Sequence, residues 1–149
     1  GSGVYAGYGP SFSAYNSSAV TITGSNVWNK ITLQTEEWDT ANCFDNTTNY
    51  RFTPNVAGYY SVGAFITAYG SPAQTGECQG CIYKNGAQYV VTSDNNSSVW
   101  GIGGGSVTLY LNGAGDYVSF YILLGASSGG YMGKGATLGN FWANMVRGS

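Results

Sequence analysis

The sequence predicts an all-β fold, a β-sandwich or jelly roll of about ten short strands. Three observations carry that prediction. First, charged residues make up only 8% of the 149-residue chain, against about 25% in ordinary globular domains, while Tyr (13) and Gly (24) are abundant. Aromatic and β-branched residues favour strands, and glycine marks the turns between them. Second, no window of 11 or more residues holds a 3.6-residue apolar period. Third, several runs alternate with period two, the mark of a strand with two unlike faces.

The stretch 49–65, NYRFTPNVAGYYSVGAF, shows the pattern at its clearest. Tyr50–Thr53 is a short β-prone run, and Pro54 ends it because proline cannot donate to a ladder. Ala57-Gly58 supplies a turn. Tyr60, Val62, Ala64 and Ile66 then alternate with Tyr59, Ser61, Gly63 and Thr67, which reads as a long strand over Tyr59–Tyr69.

The remaining strands are expected at Phe12–Tyr15, Ala19–Thr23, Val27–Leu33 after a Gly24-Ser25-Asn26 turn, Cys81–Lys84, Gln88–Thr92, Ser106–Leu111, Asp116–Leu124 and Ala136–Val146. Glu36–Asp39 is a short extra piece. Asn85-Gly86 is the strongest hairpin signal in the chain. Gly, Pro and polar content marks loops at Asn42–Asn49, Ser71–Gly80, Ser93–Gly105 and Gly125–Gly135. By alternation the core bets are Tyr60, Val62, Leu109, Leu111, Val118 and Phe120.

The length suggests one domain, large enough to bury a core without staples. We divide it into 1–10, a lead-in beginning with the cloning-scar-like Gly1-Ser2-Gly3, then the domain at 11–147 and a tail at 148–149. The net charge is −2, and the basic residues Lys30, Arg51, Lys84, Lys134 and Arg147 are scattered. Without a basic stripe, nucleic-acid binding lacks electrostatic support. No apolar run approaches the roughly 18 residues of a membrane span, so no membrane insertion is expected.

Order and spacing of five motifs resemble the C1q/TNF-like head domain over about residues 11–147. FSAY (Phe12–Tyr15) looks like the family's first strand. YRFTPNVAGYYSVGAF carries its aromatic, Phe-Thr-Pro and glycine-containing corner. IYKNG (Ile82–Gly86) is similar to its Leu-x-Lys-Asn-Gly hairpin. SVTLYLNGAGDYVSFYI (Ser106–Ile122) resembles its alternating strand, Gly-Asp turn and next strand. LGNFWANMV (Leu138–Val146) sits where the family has its final strand, with Ala143-Asn144 replacing a common Gly-aromatic pair. The Asn- and Gly-rich loops resemble phage and bacterial versions of the domain.

The resemblance implies a ten-stranded jelly roll assembling as a homotrimer, with first and last strands side by side and the 50–58 corner crossing between strands of the sandwich. Tyr15, Phe52 and Tyr110 are the candidate intersubunit residues. The implied role is a non-enzymatic head domain at the tip of a viral (phage) or bacterial surface fibre, on the virion surface or extracellular, binding a host cell-surface receptor or carbohydrate. The alternatives are a structural trimerisation domain for a collagen-like or fibrous stalk, and a secreted animal C1q-like recognition protein. Trp38, Trp100 and Tyr131, in or beside polar loops, are the candidate ligand-binding residues, because rigid rings on loops stack on sugars or anchor protein contacts. The plainer reading is that each ring packs on its own domain.

Chemistry finds little support. Cys78-Gln79-Gly80-Cys81 lacks the helix of a thioredoxin-like redox motif, leaving a local disulfide or reduced thiols, and Cys43 reads as a small buried residue. Glu36-Glu37-Trp38-Asp39 could suggest a glycosidase pair, but strand neighbours point to opposite faces. Histidine is absent, and no nucleophile–base pairing can be assembled. No cofactor is required. Calcium needs only oxygen ligands, and Asp39, Asp45 and Asp94 are its weak candidates, with loop solvation as the plainer reading. Asn-x-Ser/Thr sequons at Asn16, Asn46, Asn95 and Asn96 are expected by chance in Asn/Ser-rich loops.

Overall fold

The computed structural model describes residues 9–22, 26–70, 76–97, 100–125, 130–132 and 135–149. The expected lead-in before Gly9 and the Gly24-Ser25 part of the turn lie outside the described residues. Among the described residues, thirteen strand segments form two antiparallel sheets. They are β1 (Ser11–Tyr15), β2 (Val20–Ile22), β3 (Val27–Lys30), β4 (Thr35–Asp39), β5 (Phe44–Asp45), β6 (Arg51–Phe52), β7 (Gly58–Gly70), β8 (Gly76–Lys84), β9 (Ala87–Ser97), β10 (Trp100–Leu111), β11 (Val118–Leu124), β12 (Gly130–Met132) and β13 (Gly139–Gly148). The larger sheet runs β2-β12-β7-β13-β1-β4, with β10 also on β7; the smaller runs β5-β6-β11-β8-β9, with β3 also on β11. The first and last strands lie side by side as expected, with Phe12 opposite Ala143 and Ala14 opposite Phe141.

The corner at 53–57 carries the chain from the smaller sheet (β6) to the larger (β7). Tyr60 fixes it. Its ring is fully buried, and its hydroxyl donates to the Val56 carbonyl at 2.7 Å. Burial pushes that phenol up to about 12. The β8–β9 hairpin turns on Asn85 (φ 52°) and Gly86 (φ 81°). Two consecutive positive φ angles are what a two-residue type I′ turn needs.

The core lies between the sheets and is built on aromatic rings. Phe12 stacks on Phe44 (centroids 4.4 Å apart) and on Phe52 (4.8 Å), and meets Phe141 edge-on at 5.0 Å. All six core bets are buried. Phe52 is a correction. It was expected on an intersubunit face, but its ring is fully buried inside the single chain, against Phe12 and edge-on to Tyr60. β6 presents Arg51 outward and Phe52 inward, and a two-residue strand carries too little pattern to reveal which face is which.

Candidate functional site

Every second residue of the larger sheet points away from the core, and those residues form one open face. The register puts Ser13 beside Trp38 on one side and Trp142 on the other, with Gly63 beyond Trp142. One row along, Tyr15, Asn140, Phe65 and Gly104 align. Tyr59 and Tyr110 are direct partners across β7 and β10, edge to face at 5.6 Å.

Large apolar and aromatic groups on or beside this face meet solvent: Trp38 is 51% exposed, Tyr59 46%, Tyr110 40% and Val146 55%. One ring lies over a glycine: a Cβ at Gly63 would come within 2.2 Å of Trp142 Cζ2. Glycine has no side chain to hold that ring off the backbone. Among the described residues, the charges of this face sit at its borders, Glu37 on β4 and Arg147 at the end of β13. Glu37 is engaged: its Oε2 lies 2.6 Å from Ser13 Oγ and accepts from Asn140 Nδ2 at 3.1 Å.

Tyr15 and Tyr110 therefore stand on the open face, half-buried and exposed respectively. Tyr59, Phe65, Trp142 and Val146 were missed. The first two were legible as the opposite parity of the alternation that gave Tyr60 and Val62.

The ligand-binding candidates divide. All three were expected in or beside loops, and all three lie on strands, Trp38 in β4, Trp100 in β10 and Tyr131 in β12. Trp100 and Tyr131 come together, because the backbone register pairs Tyr69 with Trp100 on one side and Tyr131 on the other. Their side chains lie outside the described residues. Trp38 belongs to the row of Gly63, about 20 Å down β7 from Tyr69, so the three do not form one site.

The carboxylates do not converge either. Asp39 accepts backbone N–H bonds from Ala41 (3.2 Å) and Phe44 (2.7 Å). Asp45 accepts from the backbone of Thr47, Thr48 and Asn49 and from the Asn49 amide, at 2.8 to 3.0 Å; the Thr48 and Thr47 N–H bonds hold its carboxyl well below the usual range. Asp45 and Asp94 occupy opposite edge strands of the smaller sheet, and Asp39 lies in the other sheet. Among the described residues no three such ligands come together. Asp39 and Asp45 pin turns.

All three cysteines are free and buried. Cys78 pairs with Leu124 and points into the core, while Cys81 pairs with Tyr121 on the outer face. Residues three apart on a strand face opposite ways, which rules out the local disulfide. Burial pushes the Cys78 thiol up to about 11 and raises Cys81, opposite to what a redox nucleophile requires.

No protein-family model and no curated protein matches this sequence. Solved structures do match the fold. The globular domain of zebrafish complement 1qA superposes with a TM-score of 0.66 at 19% identity, covering 94% of this chain and 99% of that one. Eiger TNF from S. frugiperda gives 0.68 at 10% identity, over 97% and 95%. PRD1 vertex protein P5 gives 0.62 at 13% identity, over 93% of this chain and 74% of that one. With two sheets in this order and these neighbours, the chain has the fold of a C1q/TNF-like jelly-roll head domain.

Proposed function

We propose that this chain is a non-enzymatic homotrimeric head domain of a viral or bacterial surface fibre, binding a host-surface receptor or glycan. The open face of the larger sheet is the observation that carries the reading. An antiparallel sheet facing water normally alternates apolar-in with polar-out. Here Tyr59, Tyr110, Phe65, Trp142 and Val146 take outward positions, and charges stay at the border. Aromatic enrichment with charge depletion at the centre is the composition of a protein interface. The threefold arrangement is what the C1q/TNF-like resemblance implies, and closed threefold symmetry repeats one head-to-tail contact around the axis.

The aromatic row Trp100–Tyr69–Tyr131 is the proposed receptor contact. Three copies per trimer let weak single sites add up. A vertex protein among the structural neighbours supports a viral setting, with the domain on the virion surface or extracellular. The experiment is cell or glycan binding by the wild-type trimer and by Trp100→Ala and Tyr131→Ala. Lost binding with the trimer retained supports the reading. A trimer with no binding at high concentration, wild type included, leaves a structural trimerisation domain in its place.

A further inference from the structure

The outer face of the smaller sheet, opposite the proposed assembly face, carries a second aromatic surface of different chemistry. On β11, Ser119, Tyr121 and Leu123 point outward, and Tyr117 immediately precedes the strand. The register sets Tyr83 beside Ser119, Cys81 beside Tyr121, and Lys30 on the other flank of Tyr121. Tyr83 stacks on Tyr121 with centroids 3.8 Å apart, and Trp28 meets Tyr83 edge-on at 6.2 Å. Trp28, Tyr83, Tyr117 and Tyr121 are all half-buried, so each keeps part of a ring in water. Ser119 is buried among them, and its Oγ has no hydrogen-bond partner.

This face differs from the assembly face in charge. The Arg51 guanidinium lies over the Tyr117 ring, 4.2 Å from its centroid, and Lys30 Nζ over Tyr121 at 5.8 Å. Neither cation is in an ion pair among the described residues, where the one salt bridge joins Lys84 to Asp116. Lys30 spends one donor on the Asn49 carbonyl at 3.0 Å. Arg51 makes no hydrogen bond there, and stacking uses the guanidinium plane while leaving its N–H edge free. The carboxylate near them, Asp45, is already saturated by the Thr47–Asn49 donors. Lys30, Arg51 and Asp45 together carry one net positive charge, and Glu36 lines the same pocket as Arg51 and Asp45. Burial, and next the Arg51 charge, push the Lys30 ammonium below its ordinary 10.5, with Asp45 opposing.

We infer that this face binds an acidic carbohydrate, its sugar ring on the Tyr83–Tyr121–Trp28 surface and its carboxylate between Arg51 and Lys30. Partly exposed rings offer apolar area to the C–H groups of a pyranose, and a guanidinium edge matches a carboxylate with charge-assisted bonds. A neutral sugar would leave both cations unpaired. The inference deepens the reading of the domain as a recognition module but does not depend on trimerisation or on Trp100 and Tyr131.

The test is an amide-shift titration of the labelled domain with sialyllactose and with a galacturonic acid oligomer, each against lactose. The expected result is perturbation of the Tyr117–Leu123, Lys30 and Arg51 amides by both acidic sugars, or by one of them, and not by lactose, weakening as salt is raised. Arg51→Gln should lower the affinity about tenfold while leaving the remaining amide spectrum folded. Equal response to lactose, shifts confined to other faces, or silence to both acidic sugars would overturn the inference. A monomeric mass with this binding intact would instead count against the trimer alone.

Discussion

Trp142 lies flat across Gly63, so close that a single Cβ at that glycine would sit 2.2 Å from Cζ2 of the indole. The contact joins β13 to β7 on the outward face of the larger sheet, and it makes that face smooth. Gly63→Ala must lift the ring. Alanine's gain over glycine in a strand is below about 1 kcal/mol, and forcing a packed group aside costs about 1–3 kcal/mol. We expect a net loss of stability of about 1 kcal/mol, read as a lower denaturation midpoint, with tryptophan emission shifted to the red as the indole meets water.

The Tyr59–Tyr110 pair lies at the end of the same face. A charge there has no partner and would be buried by assembly. Tyr110→Lys should dissociate the proposed trimer while leaving the monomer folded, since Tyr110 is already exposed in the single chain. Sedimentation of the variant against the wild type checks it. A variant that stays assembled would place the interface elsewhere.

Phe12 holds the core from the inside. It touches Phe44, Phe52 and Phe141 and has no exposed surface. Phe12→Ala should cost about 3–5 kcal/mol, seen in equilibrium urea unfolding. Phe52→Ala should behave the same way, because Phe52 is a core residue.

Alkali should weaken the fold through Cys78. Its folded-state value, about 11, is raised from an ordinary 9.0 by burial. The folded chain keeps the proton after the unfolded chain has lost it, so the contribution is complete below about pH 9 and disappears as pH rises through about 11. Thermal midpoints should fall across that window and fall less in Cys78→Ala when each is compared with its own neutral-pH value. The three thiols should react with a disulfide reagent only after unfolding.

Asp45 works in the other direction. Its carboxylate collects the N–H groups of Thr47, Thr48 and Asn49, which depress its folded-state value. That contribution is present above the unfolded carboxyl value of 3.8 and is lost as pH falls through the folded one. Asp45→Ala should cost about 1 kcal/mol at neutral pH, with the difference from wild type shrinking in acid.

How much of this was visible in the sequence depended on local pattern. The Tyr60–Ile66 alternation, the Asn85-Gly86 turn and the Phe-Thr-Pro corner each specify their own geometry, and each appears where expected. Ser93–Gly105 was read as a loop because Gly, Ser and Asn dominate it. Most of it is strand: β9 runs on to Ser97, and β10 begins at Trp100 and pairs along its whole length with β7. A partner strand, not propensity, makes those residues extended. Trp100 and Tyr131 read as loop residues in the sequence, yet the register of β7 sets them on either side of Tyr69. No local signal records a pairing between positions so far apart in the chain. The outward parity of β7 was readable, and it contained Tyr59 and Phe65 all along.

In the proposed trimer the open face of the larger sheet is covered by two further copies of this chain. Light scattering of the purified wild-type domain measures the assembly. The expected mass is three times the 15.6 kDa chain, held on dilution through the micromolar range. A mass of one chain under those conditions would overturn the trimer.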